Sequence, residues 1–238
     1  MTQAAYGNLP AGFRSPKPIA FTVTNGTVAK VLVDQIPAAN ASGSLPPYYG
    51  GGTLIDLTAT STDAATKNVI LYVGTVLTTQ DSTGTGTITT GSQNTLTRAA
   101  GSWIADGWEV GAMAMIFTAA GTAQVATGID GLPLIVTGVT ATLLTFNGTP
   151  LAAGANVLTS GTRILAVADK SQTPVTANAG NGTVPNVRLL GTNASQQDNS
   201  AVTTELKFGA DNMLIAAMAA AVAALPAQVK LLPSITRY

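Results

Sequence analysis

The stretch Ile19-Ala20-Phe21-Thr22-Val23, followed by Asn25-Gly26 and then by Val28-Ala29-Lys30-Val31-Leu32-Val33, decides how the chain is read. Two runs rich in β-branched residues on either side of Asn-Gly form the strongest short-range hairpin signal, because both turn positions tolerate positive φ. The stretch therefore predicts two antiparallel strands joined at Asn25-Gly26.

The same texture continues outward. Strands are expected at Thr53–Thr60, Val69–Leu77, near Thr87–Thr89, and in the apolar run ending at Phe117. More follow at Leu134–Val139, at Leu143–Phe146 (closed by Asn147-Gly148), at Arg163–Ala168, Val184–Leu190 and Thr203–Phe208. Short strands with frequent turn signals point to a mainly β fold, an antiparallel sandwich or barrel, and not to βαβ units. Residues 1–18, with Pro10, Pro16 and Pro18, read as an extended N-terminal arm, and residues 37–52 as a long loop holding Tyr48 and Tyr49. One stretch reads two ways. In 211–225 the set Leu214, Met218, Val222 and Leu225 has helical spacing, Asp211 could cap, and alanine favours a helix. Yet Leu214, Met218 and Val222 also fall on a period of two, so a short helix and a strand both stand.

Composition limits the chemistry. The 238 residues carry 11 basic and 11 acidic side chains, 9% charged in all, with 46% hydrophobic residues, no histidine and no cysteine. Soluble domains average about 25% charged residues. The absences exclude disulfides, thiolate metal sites, a Ser-His-Asp triad and His-ligated metals. Zero formal net charge removes the basic footprint of a nucleic-acid binder. A chain this poor in ions resists association weakly, so its surface is expected to be covered with uncharged polar groups or buried against neighbouring subunits. The first ten residues have no basic and apolar signal pattern, so no secretory leader is expected. The apolar run Met213–Leu225 falls short of the ~20 residues that span a bilayer, and no membrane is expected as a partner.

Candidate sites are few. Asp106 and Glu109 could act as paired carboxylates, but their setting between Trp103, Gly107, Trp108 and Gly111 favours a turn with a solvated Glu109. Isolated Asp56, Asp63, Asp81, Asp130, Asp169 and Asp198 lack the spacing of a cation loop. Asn178-Ala179-Gly180-Asn181-Gly182 lacks the Lys of a phosphate loop and reads as a turn. Asn-x-Ser/Thr triplets at Asn25, Asn40, Asn147, Asn181 and Asn193 read mainly as turns or chance. Trp103 and Trp108 could form a carbohydrate platform, or anchor a small core. Tyr48 and Tyr49 are interface candidates because aromatics supply contact area at low entropic cost. Arg14 and Lys17, too few for nucleic acid, would suit an acidic patch on a partner subunit. No catalytic residue, cofactor or metal is expected.

A resemblance adds to this. Ala59-Thr60-Ser61-Thr62-Asp63-Ala64-Ala65 with Asn68-Val69-Ile70-Leu71-Tyr72-Val73, and the later Asn178-Ala179-Gly180-Asn181-Gly182-Thr183-Val184-Pro185-Asn186-Val187, resemble two elements of small β-rich structural proteins of tailed bacteriophages. There the elements lie closer in sequence than here. Between them, Gly101–Gly111 and Val136–Phe146 are similar to a small β-module recurring in phage tail and head proteins. The resemblance implies a discontinuous, jelly-roll-like β-sandwich of residues 19–81 and 162–238, with an inserted β-module at 82–161. It would pair the 213–225 stretch as a strand with Gln228–Leu232. It also implies a non-enzymatic structural protein of the phage particle, made in the bacterial host cytoplasm. A capsid decoration (cement) protein comes first, acting as a homo-oligomer on the major capsid protein. A tail component (tube, collar or fibre subunit) is the alternative, and a carbohydrate-binding surface module is a third reading.

Overall fold

A computed structural model of the protein describes residues 19–22, 29–33, 52–80, 87–117, 133–151, 154, 157–184, 187–190, 206–209, 212–218, 220–222 and 226–237. These residues form a mainly β fold with antiparallel pairing and no helix among them. In chain order the strands are β1 (Ile19–Thr22), β2 (Lys30–Val33), β3 (Gly52–Ser61), β4 (Lys67–Thr79), β5 (Ile88–Thr90), β6 (Thr95–Arg98) and β7 (Met113–Phe117). They continue with β8 (Leu134–Val139), β9 (Leu143–Phe146), β10 (Arg163–Val175), β11 (Val187–Leu190), β12 (Leu206–Phe208), β13 (Asn212–Met218) and β14 (Gln228–Arg237).

Two sheets result. The first runs β1-β14-β3-β11, with β12 also on β3; the second runs β2-β13-β4-β10-β7-β8-β9-β6-β5. The expected hairpin at Asn25-Gly26 is not formed. β1 pairs with β14 and β2 with β13, so the two strands belong to different sheets. The turn itself lies outside the described residues. Burial decides the matter: Phe21 from the first sheet and Leu32 from the second enter one apolar cluster, and that contact outweighs a local turn preference. Lys30 ties the same two strands from the side, its Nζ donating to the Ala20 carbonyl and standing 5.0 Å from the centre of the Phe21 ring.

The stretch at 211–225 resolves as a strand over Asn212–Met218, not a helix. Leu214, Ala216 and Met218 enter the cluster between the sheets, while Met213, Ile215 and Ala217 are buried on the opposite face. A strand covered on both faces needs an unbroken apolar run, and that tertiary demand overrides the helix preference of alanine. Its partners also correct the expectation. β13 pairs with β2 and β4, whereas Gln228–Leu232 belongs to β14 in the other sheet.

β4 and β10 form the spine of the second sheet, paired along nearly their whole lengths with shifts near Ile164 and Asp169. Gly74 sits where this spine meets β13; a Cβ there would come within 2.8 Å of Leu165 Cδ2 and 3.1 Å of Ile215 Cδ1. Pro174 and Pro233 are accommodated because β7 pairs only with Arg163–Val167 of β10, and β1 only with Gln228–Leu231 of β14. Each proline thus lies where one flank of its strand makes no pairing among the described residues.

Residues 82–161 supply β5 to β9, and β7 joins them to β10, so the second sheet continues without a break into this segment. The segment has its own buried centre of Ile88, Leu96, Trp103, Trp108, Leu134, Val136, Leu144, Phe146 and Leu158, with Ile164 from β10. Among the described residues no helix is long and apolar enough to cross a membrane.

Candidate functional site

Along β5, β6, β9 and residues 134–137 of β8 buried and more exposed positions alternate, creating two unlike faces; the pattern breaks at Gly138 and Val139, past a register shift in β8. Inward go Ile88, Thr90, Leu96, Leu144, Phe146, Leu134 and Val136, all buried. Outward go Thr89, Thr95, Thr97, Leu143, Thr145, Ile135 and Thr137, all exposed or half-buried. The registers place Thr89 opposite Thr97, Thr97 opposite Leu143, and Thr95 opposite Thr145. None of these outward positions is charged.

The hydroxyls of this face turn back into the sheet. Thr89 Oγ1 and Thr97 Oγ1 are 2.8 Å apart, Thr97 Oγ1 donates to the Thr89 carbonyl, and Thr137 Oγ1 to the Thr145 carbonyl. Thr95 Oγ1 donates to the Ser92 carbonyl. The face therefore offers threonine side chains, Leu143 and Ile135, without ions. Ile135, on this face, is 40% exposed; Ile104 and Val110, in the turn leading to β7, are 59% and 66% exposed.

That turn is held rigidly. The hydroxyl of Thr78 on β4 donates to Asp106 Oδ2 at 2.6 Å and accepts from Trp108 Nε1 at 3.0 Å. Arg98 Nη1 meets the same Asp106 oxygen at 2.6 Å, and its Nε donates to the Ala100 carbonyl at 2.7 Å. The guanidinium stands 4.9 Å from the Trp103 ring. Gly107 and Gly111, both at φ +92°, supply conformations that L side chains resist.

The sequence candidates sort accordingly. Trp103 and Trp108 are buried and belong to the apolar cluster beneath β5, β6, β8 and β9, so neither presents a face to a sugar ring. Asp106 is engaged by Arg98 and Thr78, while Glu109 is exposed; their combination holds a turn. Asn178–Thr183 is a turn, with Asn181 Oδ1 accepting from Thr183 and Val184. Asp63 is fully buried, accepting from the Ala65 N–H and 3.7 Å from Lys67 Nζ. Among the described residues no three acidic side chains gather as metal ligands. Arg14, Lys17, Tyr48 and Tyr49, the interface candidates, lie outside the described residues, as do Asp81, Asp130 and Asp198. The threonine face went unremarked in the sequence, although Thr-Leu-Thr at 95–97 and Leu-Leu-Thr-Phe at 143–146 carried its alternation.

Comparison with known protein families, with curated proteins and with solved structures finds no match to this chain.

Proposed function

We propose that this protein is a non-enzymatic structural component of a tailed-phage particle, a decoration protein that binds in many copies over seams of the capsid. The observation that carries the reading is the ion-free outer face of β5, β6, β9 and β8. Interface centres are depleted in charge, and an uncharged face of threonines with Leu143 and Ile135 meets that requirement. The partners would be the major capsid protein and further copies of the chain.

The mechanism is additive burial. Apolar area removed from water contributes about 25 cal/mol per Å² before the costs of association. When each copy touches several neighbours, modest contacts combine into a durable lattice. The resemblance of 101–111 and 136–146 to a module of phage tail proteins supports a second reading, a tail component.

Stoichiometry on purified particles tests the first reading. Many copies per head, released while tails stay attached, are expected; a few copies lost together with the tail would move the protein to the tail. Assembly of the recombinant chain into hollow tubes would favour the tail reading outright.

A further inference from the structure

The tripeptide Asn-Gly-Thr occurs at 25–27, 147–149 and 181–183. The first lies outside the described residues; the other two are exposed and differ in construction. At 181, the side-chain Oδ1 accepts the backbone N–H groups of Thr183 and Val184, both at 2.9 Å. The Gly180 N–H closes the loop on the Val184 carbonyl at 2.6 Å. Gly182 follows at φ +92° with open space where a Cβ would stand, and its own N–H has no acceptor among the described residues. At 147 the backbone N–H donates to the Ile135 carbonyl, but no donor reaches the side-chain oxygen among the described residues.

We infer that Asn181 is a site of spontaneous succinimide formation, converting to aspartate and isoaspartate faster than Asn147 in the folded protein. The backbone nitrogen of Gly182 gives up its proton to solvent base and attacks Asn181 Cγ, forming a C–N bond. Negative charge develops on Oδ1 as the tetrahedral centre forms. Two N–H groups already aimed at that oxygen stabilise it without reorganising, as donors in an oxyanion hole do. The Cγ–Nδ2 bond then breaks, and the amide nitrogen takes up a proton and leaves as ammonia. Water opens the five-membered ring at either carbonyl, giving aspartate or isoaspartate.

The product matters in this chain because its formal net charge is 0. Each event adds one negative charge beside the turn that holds Asn178 against Asp63. Aspartate keeps both N–H bonds, now charge-assisted. Isoaspartate routes the backbone through the former side chain and opens the closure between Gly180 and Val184.

The test uses the full chain, folded, incubated at mildly alkaline pH and mapped by peptide mass spectrometry, with isoaspartate methylation as a second readout. Both sites are followed in buffer and in strong urea. Asn181 is expected to convert roughly tenfold faster than Asn147 in buffer, well below the loss of rate seen when an enzyme loses an oxyanion donor. In urea the two identical tripeptides should converge to similar rates. Equal or slower conversion at Asn181 in the folded protein overturns the inference. A preference that persists unchanged in urea also overturns it, since it would then belong to the sequence and not to the turn.

Discussion

The backbone N–H of Asn178 donates to the carbonyl of Asp63 at 2.9 Å, and two residues away the Ser61 N–H donates to the Ala179 carbonyl at 2.8 Å. These bonds join the end of β3 to the turn after β10, across more than a hundred residues of intervening chain. Asp63 anchors its side through a fully buried carboxylate that accepts from the Ala65 N–H and pairs with Lys67.

Removing that carboxylate should therefore cost the sandwich directly. Asp63→Ala leaves a backbone donor and a largely buried ammonium without their acceptor, a class of change worth about 2–4 kcal/mol. Asp63→Asn, which retains an acceptor oxygen, should lose less. Urea unfolding of the two variants checks the order; equal losses would mean that the carboxylate oxygen has no special part in the junction.

A second prediction concerns the rigid turn between β6 and β7. Thr78→Val keeps the shape of the side chain but removes the oxygen shared by Trp108 Nε1 and Asp106 Oδ2. A buried indole N–H left unpaired costs about 1–3 kcal/mol. Arg98→Lys should also destabilise, because one ammonium cannot reach Asp106, the Ala100 carbonyl and the Trp103 face together. A double-mutant cycle on Thr78 and Arg98 should show coupling through Asp106, since residues of one network are not additive. Strict additivity would show that the two residues act separately.

Lys30 gives a pH dependence with a definite sign. Burial lowers its pKa in the folded protein, whereas the unfolded chain titrates it at the ordinary value of about 10.4. Between the lowered folded pKa and that value the unfolded state binds more protons, so stability rises with pH across the window. Below the window the protein bears the full penalty of a charged, half-buried ammonium; above it the penalty is gone. In Lys30→Met this rise should be absent, measured as the difference between the two proteins' denaturation midpoints from neutral to alkaline pH. An identical slope in both proteins would assign the effect to other groups.

What the sequence made legible follows the range of the forces involved. Leu134–Val139 and Leu143–Phe146 were readable to their end residues because alternation and Asn147-Gly148 are local signals. The partners of β1 and β2 were not, since they lie near the other end of the chain and are selected by burial of Phe21 and Leu32 between sheets. The strand at Asn212–Met218 was ambiguous for a related reason: an apolar run fits a helix or a doubly covered strand, and only the presence of β2 and β4 on its flanks decides. For the threonine face the residues were visible, but their side was not. Alternation says that Thr95 and Thr97 share a face; register with Thr145 and Thr89 is needed to make four strands into one surface.

That surface supplies the last prediction. Ile135 and Thr137 are exposed outward positions of β8, so Ile135→Lys and Thr137→Lys should each change stability by no more than about 0.5 kcal/mol. If the face meets a capsid neighbour, a lysine placed there must be stripped of water opposite an ion-free partner, a cost with no compensating charge. Both variants should keep their melting temperature and lose occupancy on particles, read as copies per head after purification. A lysine at exposed Thr66, in the β3–β4 connection of the sandwich, serves as the control for added charge alone and should bind as the parent does. Full occupancy by the two β8 variants would remove this face from the interface, whereas a matching loss in the control would trace the effect to net charge and not to the surface.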